Sequence, residues 1–237
     1  AADNIDLRIE EGVLTSIIGP NGAGKTTLIN LLTRNLPVAS GRVFFRDEEI
    51  THLPIHKRVK KGICRSFQIM NIFPKLSVYE NIQIPVFSFF NRSLRFFRPT
   101  SQHVDVNEKV ERLLNEIGLA DKKGLPSGTL SHGDQRLLEI GLAMASEPKL
   151  LFLDEPTAGM NPVERVKVLE NIRTLSKEKQ STFVIIEHDM DIVFSLSDRI
   201  VVLHRGQILA DGAPETIKKN EDVRKVYLGE EIYWEKQ

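Results

Sequence analysis

A glycine-rich segment, Gly19–Thr26, has the residue types and the spacing of a loop that binds phosphate groups. It matches the pattern Gly-x-x-x-x-Gly-Lys-(Ser/Thr), whose glycines let backbone N–H groups turn around the phosphates. In this pattern the side chain of Lys25 reaches the outer phosphates, and the hydroxyl of Thr26 binds Mg²⁺. The sequence therefore predicts a nucleoside triphosphate site formed by Asn21, Gly22, Gly24, Lys25, Thr26 and Thr27. The Asn-Lys-x-Asp motif with which GTPases read guanine does not occur in the chain.

Two adjacent carboxylates, Asp154 and Glu155, follow the apolar run Leu150–Leu153. Residues that follow a buried strand of a parallel sheet are presented to a ligand at the open edge of the sheet. Asp154 suits a metal-holding role, while Glu155 points elsewhere along the chain and could orient or deprotonate an attacking water. Alone, such a pair is more typical of a solvated acidic strand end, so its role depends on the motifs around it.

The segments that would position these residues alternate between strand and helix. Val13–Ile18 is interpreted as a buried strand that leads into the phosphate loop, and a helix over Thr26–Leu32 follows the loop. Leu150–Leu153 and Thr182–Ile186 are continuous apolar runs, which are typical of parallel strands covered on both faces. The sequence thus predicts an α/β fold with a mainly parallel sheet.

Local patterns predict further elements. Ser131 with Asp134 predicts a capping box at a helix start, and Asn161 with Pro162 predicts the capped start of another helix. The other predicted segments are a half-exposed strand over Ile5–Ile9, a strand over Gly41–Phe45, a basic surface segment over His52–Gly62, helices over Asp105–Leu119, His132–Ser146 and Asn161–Ser176, and a hairpin turning near Gly206.

Composition restricts the class of protein. The chain has 237 residues, of which 41% are hydrophobic and 27% charged, so it can bury a sizeable core. Its 32 Lys and Arg balance its 32 Asp and Glu, so it lacks a net basic field and we expect no nucleic-acid partner. The single cysteine, Cys64, suits a reducing compartment. No apolar run reaches the roughly 20 residues of a membrane-spanning helix, and no signal peptide is recognised, so we expect a soluble chain.

A third motif, Leu130–Gln135, reads Leu-Ser-His-Gly-Asp-Gln. It resembles the signature sequence of ABC transporter ATPases, and no other family with this phosphate loop uses that sequence. Gln68, within Ser66-Phe67-Gln68, is similar to the Q-loop glutamine of the family, and His188 is similar to its switch histidine. The resemblance covers nearly the whole chain.

This resemblance implies that two cassettes face each other head to tail, so that each ATP lies between the phosphate loop of one and the signature helix of the other. Ser131 and the backbone of Gly133 would meet the γ-phosphate at a helix N-terminus, which favours an anion. Gln68 would meet the metal and the water, while His188 would hold the γ-phosphate against Glu155. The implied cofactors are ATP and Mg²⁺, and the implied metal-site residues are Thr26, Gln68 and Asp154.

Three features depart from the family pattern. Ala158–Asn161 resembles the loop that crosses the dimer interface, but Asn161 replaces the usual aspartate. The sequence therefore does not decide whether the two ATP sites communicate through this loop. His132 replaces a more frequent glycine of the signature and receives no catalytic role. The family stacks adenine on an aromatic residue upstream of the strand where this sequence begins, so we expect that residue before Ala1 and weak selectivity for ATP over GTP.

The implied fold is a P-loop NTPase of the ABC ATPase type, with a mainly parallel sheet core, an N-terminal antiparallel β portion and an inserted α-helical subdomain. Residues 1–70 and 129–237 would form the ATP-binding core with the β portion and the C-terminal tail. Residues 71–128 would form the helical subdomain, which in ABC ATPases contacts the membrane subunits. Within it, phenylalanine and arginine are interleaved over Phe87–Arg98. This segment could dock on the membrane subunits or lie near anionic lipid, or its phenylalanines could simply pack the subdomain.

The tail Asp222–Glu230, with Glu187–Asp191 and Ala158–Pro162, resembles the cassettes of branched-chain amino acid importers. The implied function is to power such import by ATP hydrolysis at the cytoplasmic face of the membrane, as a peripheral subunit beside permease subunits and, indirectly, a solute-binding protein. Cassettes for lipopolysaccharide export share a similar tail and those for urea or amide import share the signature, so the solute and the direction stay open. Soluble ABC ATPases of DNA repair or translation are disfavoured, because the chain has neither coiled-coil heptads nor a second phosphate loop.

Overall fold

The computed structural model of the chain describes residues 2–66, 72–90, 104–178 and 181–227. Its internal contacts divide it into two compact units. The first unit comprises Ala1–Arg65, Leu150–Glu155 and Thr182–Gln237, and the second comprises Ser66–Lys149 and Pro156–Ser181. The helical subdomain predicted over residues 71–128 falls within the second unit, which also contains helices over His132–Met144 and Pro162–Lys177. The predicted subdomain boundaries stay a prediction.

The strands belong to the first unit and form a six-stranded and a two-stranded sheet. In chain order they are β1 (Thr15–Ile18), β2 (Phe44–Phe45), β3 (Glu48–Glu49), β4 (Ile63–Arg65), β5 (Leu150–Asp154), β6 (Thr182–Ile186), β7 (Arg199–His204) and β8 (Gln207–Gly212). The large sheet has the order β4-β5-β6-β1-β7-β8, in which β7 and β8 are antiparallel and all other neighbours are parallel. The small sheet pairs β2 with β3 in antiparallel fashion. The predicted α/β fold, with a mainly parallel sheet and an antiparallel portion, is confirmed.

The helices are divided between the two units. They are α1 (Lys25–Thr33), α2 (Ile55–Lys60), α3 (Val78–Phe89), α4 (Val104–Glu116), α5 (His132–Met144), α6 (Pro162–Lys177), α7 (Met190–Leu196), α8 (Pro214–Lys219) and α9 (Glu221–Tyr227). The second unit contains α3 to α6, and the first contains the others. Within the described ranges, no helix combines the length and the apolar content needed to cross a bilayer.

The central strands carry the apolar runs seen in the sequence. Every residue of β1 and β6 is buried, and β5 is buried except for its partly exposed first residue. Ile17, Phe152 and Val184, from three neighbouring strands, share one core cluster with Leu28 and Ile29 of α1. Burial on both faces explains why these strands are continuously apolar rather than alternating. The same cluster packs the helix that follows the phosphate loop against the sheet.

The N-terminal segment alternates as predicted but does not form a strand. Ile5, Leu7 and Ile9 pack against the core cluster, whereas the residues between them are exposed. The carbonyl of Arg8 accepts a hydrogen bond from the side chain of Arg199 at 2.8 Å, so a guanidinium takes the place of a backbone partner there. The predicted strand is wrong, although the alternation identifies the buried face correctly.

Two antiparallel features differ in how closely they follow prediction. The hairpin between β7 and β8 is confirmed and turns at Arg205 and Gly206, whose φ values of 51° and 87° are the positive values that a tight hairpin turn requires. The strand predicted over Gly41–Phe45 is shorter, because the amide of Val43 donates to the hydroxyl of Thr51 at 2.9 Å rather than to a backbone carbonyl.

The segment His52–Gly62, predicted to be surface, contains a buried arginine. Arg58 is 1% exposed, while the other basic residues of α2 are exposed. Its guanidinium donates to the carbonyls of Leu31, Leu32, Ile50, Thr51 and Leu53. Carbonyls in the last turn of a helix lack intrahelical partners, so Arg58 caps the C-terminus of α1 and fastens it to the segment that follows β3. The surface assignment is wrong for this residue, since composition does not distinguish one buried cation from its exposed neighbours.

Replacing Arg58 by methionine should lower the free energy of unfolding by about 2–4 kcal/mol, because several buried carbonyls would lose a charged donor. Lys57→Met and Lys60→Met remove the same charge from exposed positions of α2 and should change that free energy by less than about 0.5 kcal/mol. Urea unfolding of the three variants measures the difference. Equal stability of all three would contradict a capping role for Arg58.

In the second unit, α5 passes close to its neighbours at Gly141. A Cβ atom at Gly141 would lie 2.7 Å from the side chain of Ile117 and 2.8 Å from that of Ile82, so glycine permits this approach. Phe87 in α3 is 3% exposed, and packing therefore accounts for this member of Phe87–Arg98. Residues 91–103, which include the arginines of that segment, lie outside the described residues.

Candidate functional site

The phosphate loop connects β1 to α1 in the first unit. Gly19 has a φ of 154°, and a Cβ atom there would lie 2.2 Å from the carbonyl oxygen of Leu203, so glycine is required beside β7. Gly24, with a φ of 105°, is the N-cap of α1 and supplies no side-chain cap, and the first turn has no acidic residue. The N–H groups at the start of α1 therefore point into a loop suited to an anion. Asn21, Gly22 and Thr26 are exposed along it, and Thr27 is half-buried.

Lys25 lies over this loop. Its Nζ donates to the carbonyl oxygens of Gly19 and Pro20, at 3.1 Å for Pro20. Burial lowers the pKa of Lys25, and the negative charges of Glu155 and Asp154 oppose that shift. The lysine and both predicted carboxylates are thus within electrostatic reach of one another. An entering triphosphate would offer oxygens of higher charge in place of the two carbonyls.

Asp154 ends β5 as a buried carboxylate that is 3% exposed. Its Oδ2 accepts from Nη2 of Arg65 at 2.6 Å, and Nη1 of Arg65 donates to Oδ1 of Asn30 at 2.6 Å. Asn30 lies one turn after Thr26 on the same face of α1. One guanidinium therefore joins the helix of the phosphate loop to the carboxylate predicted to hold the metal.

Glu155 follows in a strained backbone conformation. Its φ of 44° lies in the left-handed region, which costs a non-glycine residue about 1–2 kcal/mol, and its amide donates to the carbonyl of Ile186 at 2.9 Å. Oε1 of Glu155 lies 3.8 Å from Nδ1 of His188, and these side chains are 35% and 67% exposed. Strain of this kind persists where the surrounding structure holds it, commonly at functional sites. Glu155 and His188, two of the three predicted catalytic residues beside Gln68, are thus adjacent and open to solvent.

The oxygen donors of this edge suit Mg²⁺. This ion takes one or two protein carboxylates together with substrate phosphates and water, rather than a cage made of protein alone. The carboxylate of Asp154 already holds a cation, the guanidinium of Arg65. Among the residues that the structure describes, no group of three or more His, Cys, Asp or Glu could hold a metal. Thr26 and Asp154 therefore fit an ion held jointly with a triphosphate.

The signature motif lies at the start of α5, in the second unit. Ser131 is the N-cap of α5, and its hydroxyl accepts from the amide of Asp134 at 3.3 Å, so the predicted helix start is confirmed. The carboxylate of Asp134 does not reciprocate in the way a capping box requires, because it accepts from the ammonium groups of Lys122 and Lys167. The capping box is therefore formed only on its Ser131 side.

The carboxylate of Glu164 accepts a hydrogen bond from the Gly133 amide, one of the donors predicted to bind a phosphate. Oε1 of Glu164 accepts from the amide of Gly133 at 3.3 Å, and Oε2 accepts from Nδ2 of Asn161 at 2.8 Å. The Gly133 amide and then the Ser131 hydroxyl hold the pKa of Glu164 below its ordinary value. A Cβ atom at Gly133 would lie 2.9 Å from Cβ of Glu164, so glycine permits this approach. The start of α5 thus already binds an anionic oxygen.

Asn161, which stands in place of the usual aspartate, is the N-cap of α6. Its Oδ1 accepts from the amides of Val163 and Glu164, both at 3.0 Å, as asparagine before proline predicts. Its Nδ2 donates to the carboxylate of Glu164, so both the oxygen and the nitrogen of the Asn161 side chain stabilise the first turn of α6.

The structure brings part of the predicted site together. Lys25, Asp154, Glu155 and His188 are neighbours in the first unit, and Ser131 and Gly133 are neighbours in the second. Gln68 lies outside the described residues. The sequence interpretation missed Asn30, Arg65 and Glu164. Helical spacing from Thr26 could have identified Asn30, and the place of Arg65 directly before the Ser66-Phe67-Gln68 motif could have drawn attention to it.

Comparison with known proteins identifies the family. The ABC transporter family matches residues 2–158, which is more than half of the chain, and the family of branched-chain amino acid ATP-binding cassette transporters matches residues 207–233. The high-affinity branched-chain amino acid transport ATP-binding protein BraF of Pseudomonas aeruginosa is 40% identical, over 97% of this chain and 92% of the relative. LivG of Escherichia coli, a protein with the same description, is 37% identical over the same shares of the two chains.

Solved structures agree in fold. The ADP conformation of an ATP-binding cassette of an ABC transporter superposes with a TM-score of 0.78 at 32% identity, covering 92% of this chain and 89% of that one. A nucleotide-free cassette superposes with a TM-score of 0.80 at 30% identity, covering 95% and 92%. The predicted P-loop NTPase fold of the ABC type is confirmed. The chain belongs to the ABC transporter family, as an ATPase cassette of the group whose curated members are named for branched-chain amino acid transport.

Proposed function

We propose that this chain hydrolyses Mg²⁺-bound ATP in sites shared between two cassettes and thereby powers the import of branched-chain amino acids. One observation carries the hydrolytic part: Glu155, in a strained turn, lies 3.8 Å from His188. Asp154 and Lys25, within electrostatic reach, supply the charges that a triphosphate and its metal require. Hydrolysis of a phosphoanhydride needs a positioned water and stabilised phosphate charge, and this edge of the sheet offers groups for both.

The residues of the first unit divide the chemistry between them. Lys25 and the N–H groups of α1 bind the β- and γ-phosphates, and Thr26 with Asp154 holds the metal. The metal, when bound, neutralises charge that develops on the phosphate oxygens. Glu155 orients the attacking water and accepts its proton, and His188 hydrogen-bonds the γ-phosphate beside it. Gln68 is proposed to contact the metal and the water, on the family resemblance alone.

Ser131 and Gly133 are proposed to bind the γ-phosphate held by the other cassette. Support comes from the carboxylate of Glu164, which occupies the Gly133 amide and demonstrates the affinity of this helix N-terminus for an anionic oxygen. A γ-phosphate and Glu164 would use the same donors. Assembly around ATP therefore requires this carboxylate to move aside.

Replacing Glu164 by alanine should lower the ATP concentration needed for half-maximal dimerisation roughly threefold to tenfold, because it removes an anion that competes for charged hydrogen bonds. Sedimentation of the chain in a Glu155→Gln background, where ATP persists, measures that concentration. Glu170→Ala is the matched control, since Glu170 is exposed on the same helix. A Glu164→Ala protein that needs more ATP than the control would show that Glu164 supports the dimer instead.

The solute is proposed from the curated relatives, which are named for branched-chain amino acid transport. Disruption of the gene in its host should abolish uptake of labelled leucine and leave uptake of urea unchanged. Uptake should return with the wild-type gene and not with one encoding Glu155→Gln. Loss of urea uptake, or of lipopolysaccharide delivery to the cell surface, with normal leucine uptake would instead favour the urea importer or the lipopolysaccharide exporter.

Permease subunits are the proposed membrane partners, with this chain at the cytoplasmic face and a solute-binding protein on the other side. The second unit exposes Phe73 at 55% and Leu125 at 48%, and the hydroxyl of Ser127 donates to the carbonyl of Phe73 at 2.8 Å, so the two residues belong to segments that lie together. Exposed apolar side chains that lie together, unlike single scattered ones, are typical of protein contacts. The amide of Val78 donates to the carbonyl of Leu125 at 3.0 Å, which fixes the latter against the start of α3. Phe73→Ser and Leu125→Ser should weaken co-purification with the permease while ATPase activity of the isolated chain persists.

A further inference from the structure

Arg65 connects Asp154, in the proposed hydrolytic site, to the helix that follows the phosphate loop. Its Nη2 donates to Oδ2 of Asp154 and its Nη1 donates to Oδ1 of Asn30, both at 2.6 Å. The side chains of Arg65 and Asp154 are 11% and 4% exposed, so the pair is shielded from water. Charge-assisted bonds of this length in a shielded place are among the stronger polar contacts in proteins. The guanidinium is therefore a fixed part of the site rather than a surface charge.

The sheet explains why this arginine reaches this aspartate. β4 and β5 are parallel neighbours, with Arg65 opposite Phe152. Residues two apart on a strand share a face, so Arg65 and Asp154 lie on the same face of the sheet. Both are the last residues of their strands. Because the carboxyl ends of β4 and β5 are adjacent, the guanidinium of Arg65 can reach the carboxylate of Asp154.

Arg65 also reaches the helix that follows the phosphate loop. Asn30 is four residues after Thr26 and shares its face of α1, so the second arm of the guanidinium holds the turn next to the proposed metal ligand. Lys25 makes its hydrogen bonds elsewhere, with the carbonyl oxygens of Gly19 and Pro20. The two cations near Asp154 therefore have different tasks in the structure.

We propose that Arg65 is a positioning residue for the metal site, serving as the counter-charge of Asp154 until Mg²⁺ arrives and sharing the carboxylate with it afterwards. This inference rests on the proposed function, in which Asp154 holds the metal. Burying a charged carboxylate is costly unless a cation or several donors pair with it. The guanidinium of Arg65 compensates the charge of the Asp154 carboxylate and fixes its position.

The same charge opposes the metal. A cation that is hydrogen-bonded to a carboxylate repels a second cation that approaches the same oxygens. Removing Arg65 should therefore tighten metal binding while loosening the position of Asp154. A residue that merely supported the fold would weaken metal binding when removed.

The test measures Mn²⁺, as a spectroscopic substitute for Mg²⁺, binding to the full chain saturated with ADP. Electron paramagnetic resonance gives the free Mn²⁺ concentration for wild type, Arg65→Gln, Arg65→Lys and Asn30→Ala. We expect Arg65→Gln to bind Mn²⁺ roughly tenfold more tightly than wild type, since the opposing charge is gone. Arg65→Lys, which keeps the charge, and Asn30→Ala, which keeps the bond to Asp154, should stay near wild type. Melting temperatures with ADP alone and with ADP and Mg²⁺ provide a second readout, and the increment due to Mg²⁺ should be larger in Arg65→Gln.

Equal or weaker Mn²⁺ binding by Arg65→Gln, with a cooperative melting transition, would overturn the proposal. If Arg65→Gln fails to fold, tightened Mn²⁺ binding by Arg65→Lys would also overturn it, because that variant retains the charge. The Asp154→Asn variant distinguishes an error in the role of Arg65 from an error in the proposed metal role of Asp154. Unchanged Mn²⁺ affinity in Asp154→Asn would remove the metal role of Asp154 itself, whereas lost affinity there with no effect of Arg65→Gln would remove only the role of Arg65.

Discussion

The Glu155→Gln protein should bind ATP with wild-type affinity and hydrolyse it about 10²–10⁴-fold more slowly. Glutamine has nearly the same shape, so we expect residue 155 to keep its φ of 44° and the hydrogen bond from its amide to the carbonyl of Ile186. It lacks the carboxylate that accepts a proton from water. Binding and chemistry are thereby separated, because Lys25 and the start of α1 still hold the phosphates.

Equilibrium binding of ATP and release of inorganic phosphate measure the two halves of this expectation. His188→Ala is the informative companion, since its imidazole lies 3.8 Å from Glu155 and is proposed to hold the γ-phosphate rather than to take a proton. Its loss of turnover should be smaller than that of Glu155→Gln. A Glu155→Gln protein that hydrolyses ATP within a few-fold of wild type would assign the base to another group. Accumulation of an ATP-bound dimer by this variant would support the shared site.

The phosphate loop could be predicted because its chemistry is local. Glycine spacing, the preceding strand and the following helix occupy one continuous stretch, and Gly19 is required there by contact with β7. The carboxylate pair could be predicted for a related reason, since continuous apolar runs identify buried parallel strands and their carboxyl ends share one edge. Each inference needed only the neighbouring residues and the general geometry of parallel sheets.

The residues that sequence reasoning missed depend on pairings between distant segments. Arg65 and Asp154 are 89 residues apart in the chain, and Gly133 and Glu164 are 31 apart. A single sequence shows neither pairing, because both depend on how strands and helices are arranged in three dimensions. Arg58 was misread for another reason: its neighbours on α2 are exposed basic residues, and only packing onto the end of α1 distinguishes it.

Strain and competition are also hidden from the sequence. Nothing in the residue types around Glu155 indicates its left-handed backbone conformation, which accompanies a hydrogen bond from its amide to the carbonyl of Ile186. Likewise, the signature motif identifies donors for a phosphate but not the carboxylate of Glu164 that lies on them.

Replacing Lys25 by alanine should weaken ATP binding roughly tenfold to a hundredfold, because hydrogen bonds to charged groups contribute about 1.5–3 kcal/mol each. AMP should bind almost as well as to wild type, since Lys25 is proposed to meet the outer phosphates. Calorimetric affinities for ATP, ADP and AMP measure this gradient. The carbonyl oxygens of Gly19 and Pro20 would lose a donor in a partly buried place, so we also expect the free energy of unfolding to fall by about 1–3 kcal/mol.

The matched control is Lys57→Ala, which removes the same charge from an exposed position of α2 and should leave all three affinities unchanged. The gradient across the three nucleotides matters more than any single affinity. Equal weakening of ATP and AMP would indicate a distorted loop rather than a lost phosphate contact. An unchanged ATP affinity would show that the N–H groups of α1 and the metal suffice, and that Lys25 acts only when the γ-phosphate is transferred to water. The Lys25→Ala protein therefore distinguishes a lysine that binds the ground state from one that acts in the transition state.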